Sequence, residues 1–84
     1  MVVTIRRVWS HYDYTTDPKR FKYSNVIAKD ERGVEHLLIT FDAWMASLCL
    51  QYEKRSSTLE TQPPAVDLVW NDRGKILDLK VEAA

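Results

Sequence analysis

The chain has 84 residues, 12 Lys+Arg against 12 Asp+Glu, 45% apolar residues, three Pro, two Gly and one Cys. That length accommodates one domain over residues 1–84, which buries only about 60% of the surface its unfolded chain exposes. A lone cysteine excludes an internal disulfide scaffold, no run reaches the roughly 18 apolar residues of a bilayer span, and the aliphatic and aromatic content excludes disorder.

At the amino terminus, Met1-Val2-Val3-Thr4-Ile5 precedes Arg6-Arg7, which reverses the charge-then-apolar order of a signal peptide, so a cytoplasmic location is expected. Val2–Tyr14 is rich in β-branched and aromatic residues and contains neither Gly nor Pro, which predicts one long strand. Val3 and Ile5 fall on one phase of its alternation and Val8 and Tyr12 on the other. A β-bulge at Arg6-Arg7 repairs that slip and bends the strand. Thr15-Thr16-Asp17-Pro18 is a polar turn.

Two similar segments, Asp30-Glu31-Arg32-Gly33 and Asn71-Asp72-Arg73-Gly74, each separate apolar-rich runs and each end in one of the two glycines. Asp or Asn opens such a turn and Gly accepts the positive φ that closes it, so two hairpins are predicted. The first joins Phe21–Lys29 to Val34–Phe41. The second joins Ala65–Trp70 to Lys75–Glu82, where Leu77, Leu79 and Val81 alternate with Asp78, Lys80 and Glu82. Between the hairpins, Trp44, Met45, Leu48, Cys49 and Tyr52 recur at helical spacing. The pattern predicts a helix over Asp42–Lys54, with Asp42 as N-cap and Lys54 and Arg55 near the negative end of its dipole. Pro63-Pro64 stops any continuation.

The predicted order, β-β-β-α-β-β, resembles that of the OB-fold, a small five-stranded Greek-key barrel. The likeness covers nearly the whole chain but is one of element order, without a motif. It implies a long curved first strand shared by two sheets, a helix plugging one end, and oligonucleotide contact at the first inter-strand connection and on the outer face of strands two and three. The first strand departs from it in having no glycine at its bend, and the helix-to-strand-four connection is long. An open α+β sheet with one packed helix, of β-grasp type, is the alternative.

Catalysis finds little support. Cys49 lies on the apolar helix stripe, where a thiol acts as a small hydrophobe. His11 and His36 have no metal-ligand spacing, the two glycines are too far apart for a phosphate loop, and Asp30/Glu31 sit in a turn. No enzyme activity, cofactor or metal is expected.

The informative cluster runs from Trp9-Ser10-His11-Tyr12-Asp13-Tyr14 to Lys19-Arg20-Phe21-Lys22-Tyr23, interleaving aromatic rings with cations. Residues 1–32 carry a net charge of +3 and residues 33–84 a net −3, so one basic and one acidic face are expected. Rings that stack bases beside amines that neutralise phosphates suit single-stranded nucleic acid, DNA in preference to RNA. By strand parity, Val26 and Ala28 point inward, leaving Phe21, Tyr23, Asn25 and Ile27 outside. In the third strand Leu37, Ile39 and Phe41 form the expected core face, with His36, Leu38 and Thr40 outside. Trp44, Phe41 and Trp70 are read as core. The expected binding residues are Arg7, Trp9, Tyr12, Tyr14, Lys19, Arg20, Phe21, Lys22, Tyr23, Asn25, His36 and Arg73. A protein-interaction module, acting as a small regulator or inhibitor, is the second functional reading, since Tyr, Trp and Arg also concentrate binding energy between proteins. An edge left open by incomplete closure would favour a symmetric homodimer.

Overall fold

A computed structural model describes residues 1–58 and 65–81. Strands β1 (Val2–Asp13), β2 (Arg20–Asp30) and β3 (Glu35–Thr40) precede helix α1 (Ala43–Thr58), and β4 (Val66–Trp70) and β5 (Ile76–Val81) follow it. All five strands join one antiparallel sheet in the order β3-β2-β1-β4-β5, so the mainly β architecture with one helix is as the sequence predicts. Pro63-Pro64 and Glu82 lie outside the described residues. Among the described residues no helix is long and apolar enough to cross a membrane.

The β1–β2 ladder steps from Ile5↔Ala28 to Arg7↔Ile27, which leaves Arg6 as the extra residue of a bulge. That one residue lets Val3 and Ile5 on one side of the bend, and Val8 on the other, face the same core. Past Val3, no described residue pairs with β1 in a ladder on its β4 side. There α1 takes over: the Glu53 carboxylate accepts the Val8 N–H, satisfying a donor that the bulge turns away from the sheet. A second shift, from His11↔Tyr23 to Tyr12↔Phe21, leaves Lys22 as the extra residue on β2.

Both glycine turns are three-residue loops of the same construction. The Asp30 carboxylate accepts the N–H groups of Arg32 and Val34, each at 2.9 Å, and the Asn71 amide oxygen accepts those of Arg73 and Lys75, each at 3.0 Å. Gly33 and Gly74 have φ of 84° and 78°, the left-handed closing residue of this hairpin type.

The core comprises Val3, Ile5, Val26, Ala28, Leu38, Cys49, Tyr52, Val66, Leu68 and Ile76, with Val8, Met45, Trp70 and Leu79 packed against it. The inward placement of Val26 and Ala28 is as expected; the expected parity of β3 is reversed. Leu38 and Thr40 are buried, while Leu37 and Phe41 are 66% and 58% exposed. The three-residue loop requires this, because it sets Ala28 opposite His36 and Val26 opposite Leu38, and directly opposed residues share a face. Trp44 is likewise exposed rather than core. At about 100° per residue it stands roughly 140° around the helix from Cys49, the centre of the buried stripe. Asp42 caps α1 as expected, its carboxylate accepting the Trp44 N–H at 2.9 Å, but the helix runs a turn beyond Lys54, to Thr58.

The sheet is not closed into a barrel. Its edge strands meet at one parallel bridge, Ile39↔Lys75, where Ile39 N–H donates to Gly74 O at 2.8 Å. β3 ends at Thr40 and β5 begins at Ile76, so the two overlap by too little to form a ladder.

Candidate nucleic-acid interface

The face of β1, β2 and β3 opposite the core carries a block of side chains fixed by the ladder. Arg7, Ile27 and Leu37 make one row, Trp9, Asn25 and Ile39 the next. The third row is His11 and Tyr23, stacked at 4.4 Å, with Phe41, one residue past the end of β3 and outside its ladder, 6.0 Å from Tyr23. His11 Nε2 lies 3.1 Å from Asn25 Oδ1, which ties the second row to the third. The Arg7 guanidinium sits 5.0 Å over the Trp9 ring, and Lys75 Nζ sits 5.9 Å over Phe41. None of the nine positions is a carboxylate. Rings ordered on a sheet with cations at their faces are, in general, the kind of surface on which planar anionic groups stack.

Of the expected binding residues, Arg7, Trp9, Tyr23 and Asn25 come together on this face. Tyr12 and Phe21 do not. The bulge at Lys22 turns Phe21 to pair with Tyr12 on the helix side, their rings 6.1 Å apart in an edge arrangement. They line a cleft of about 280 Å³ with Ser10, Ala43, Ala46, Ser47 and Leu50. Lys19 Nζ lies 4.5 Å from the Tyr12 ring and 5.6 Å from that of Tyr14, so Lys19 and Tyr14 belong with this second cluster. Arg20 and Lys22 are exposed at the end of the β1–β2 hairpin, and Arg73 is exposed in the β4–β5 loop.

His36 also leaves the expected groove. It shares the inward parity of Leu38, with Nε2 2.9 Å from Asp30 Oδ2 and its ring 5.2 Å from Trp70. This hydrogen bond, then the Val34 and Arg32 amides and the Arg32 charge, hold the Asp30 carboxyl below the ordinary carboxylate range despite its burial. Asp30 and His36 are thus a structural clasp at the first hairpin.

Sequence reasoning missed His11, Leu37, Ile39 and Phe41 as members of the platform, and Lys75 beside it. The signal was present: counting outward from the Asp30–Gly33 turn sets Leu37 opposite the outward Ile27. Cys49 is buried, and desolvation pushes its thiol pKa up to about 11. Among the described residues no group of His, Cys, Asp or Glu side chains could hold a metal ion. No protein-family model, curated protein or solved structure matches the chain.

Proposed function

We propose that the chain binds single-stranded nucleic acid, DNA in preference to RNA, on the outer face of β1–β2–β3. Bases stack on Trp9, Tyr23 and Phe41, while Arg7 and Lys75 neutralise the adjoining phosphates. The observation that carries this reading is the nine-position platform itself, which holds four rings and one guanidinium without a single carboxylate. Single-strand binding needs no sequence-reading groove, because every base offers a π-face. The element order, with edge strands parallel where they touch, supports the resemblance to a partly open Greek-key barrel.

Titration of tryptophan fluorescence with short oligo-dT and with duplex of equal length tests it. Oligo-dT quenches Trp9 and duplex does not. Tyr23→Ala weakens binding at every salt concentration by the worth of a stacked base, about 1–3 kcal/mol. Arg7→Ala chiefly flattens the dependence of log affinity on log salt, by about 0.7 for the phosphate it neutralises. The exposed Leu37 and Phe41 favour a second reading, docking of a protein. That reading gains if oligo-dT leaves the fluorescence unchanged at low salt.

A further inference from the structure

The outer edge of β5 is independent of the platform, and its chemistry points to an occupant. Among the described residues β5 has one ladder neighbour, β4, and the bridge to β3 lies just before it, at Lys75. Because that contact is parallel and β3 stops at Thr40, β5 runs on past the end of β3. From Leu77 to Val81 its outer edge has no strand beside it among the described residues.

Two hydrogen bonds define how this edge points. Leu68 stands opposite Leu79, and its N–H donates away from β5, to Met1 O at 2.9 Å. Leu68 and Leu79 are therefore a non-hydrogen-bonded pair, which directs the Leu79 N–H outward. That N–H is taken up at 2.9 Å by the carboxylate of its own neighbour, Asp78. The flanking Asp78 and Lys80 are both exposed and share the face opposite the core.

We infer that β5 pairs antiparallel with β5 of a second copy of this chain, about a two-fold axis passing between the two Leu79 residues. The outward N–H and C=O of each Leu79 then exchange hydrogen bonds with those of the other, and Asp78 gives up its local bond. Asp78 of each copy stands opposite Lys80 of the other, in the non-hydrogen-bonded pairs where side chains lie closest. Charges on an exposed edge ordinarily guard it against association. Among the described residues of this edge, the order of Asp78 and Lys80 is self-complementary in a single register. Sliding the strands by two residues either way, which the outward direction of the amides requires, sets Asp78 against Asp78 or Lys80 against Lys80.

Charge exchange tests the inference. Sedimentation equilibrium is measured for the wild-type chain, for Asp78→Lys, for Lys80→Asp and for an equimolar mixture of the two variants. Far-UV circular dichroism verifies that each variant is folded. The wild-type chain dimerises, and its Leu79 amide gains hydrogen-exchange protection as concentration rises. Each variant alone opposes like charges on both sides of the axis, and its dimer is weaker by about tenfold or more. The mixture restores association, because each variant then supplies the charges the other needs. A wild-type chain that stays monomeric into the millimolar range overturns the inference. So do variants that dimerise as well as the wild type, a mixture no tighter than its parts, or Leu79 protection independent of concentration.

Discussion

Asp30 shows how one side chain can carry a turn, an ion pair and a pH response together. Its carboxylate accepts two loop amides and contacts His36, while Asn71 performs the amide-accepting role alone in the second hairpin. The folded-state pKa of Asp30 lies below its ordinary value of 3.8. Its contribution to stability is therefore complete above the unfolded value and is lost as pH falls through the folded one. Asp13, held down chiefly by Thr15, and Asp67, held down chiefly by the Met1 amine, act in the same direction. Asp30→Asn keeps both turn bonds, as Asn71 does, but flattens the loss of melting temperature below about pH 4. Both variants lose the pH-linked contribution at neutral pH; Asp30→Ala removes the turn bonds too and lowers the melting temperature there further. Thermal melts across pH check both, and equal behaviour of the two variants would contradict this division of roles.

At the scale of elements, the two hairpins share a loop design but differ in what surrounds the closing glycine. A Cβ on Gly33 meets only the end of the Lys29 side chain, at 3.7 Å, whereas one on Gly74 lies 3.1 Å from the Leu37 carbonyl oxygen. Gly33→Ala carries the cost of a left-handed alanine, about 1–2 kcal/mol. Gly74→Ala carries that cost and must also shift β3, so chemical denaturation finds it the less stable variant. These turns, and the bulge at Arg6, were legible in the sequence because each follows from a local pattern. Asx and Gly mark the loops, and the slip between Ile5 and Val8 marks the extra residue. The face of β3 was harder to read, because Leu37, Leu38 and Ile39 are all apolar and alternation says nothing there. The loop length decides it, by setting Leu38 opposite Val26. The bulge at Lys22 left no such trace, and it moved Phe21 from the expected groove to the helix side.

Across the whole molecule, the bulge in β1 and the helix divide the chain into a sealed side and an open side. α1 and the inward residues of all five strands enclose the core, with Glu53 closing the donor that the bend in β1 leaves free. Among the described residues the opposite face of β1–β2–β3 is half-exposed, with its rings ordered against one another. Incomplete closure was not legible in the sequence, because it depends on how far β3 and β5 overlap in space. Nor was the grouping of rings into two clusters on opposite faces. The neutral overall charge does not weigh against the platform, since its nine positions carry a guanidinium and no carboxylate. The most direct measurement of its role is amide and side-chain chemical-shift mapping of the isotopically labelled chain during titration with short oligo-dT. Saturable shifts are expected at Trp9, His11, Tyr23, Asn25 and Ile39, with the helix-side cleft of Tyr12, Phe21 and Leu50 undisturbed. Shifts centred on that cleft, or none at low salt, would contradict that role.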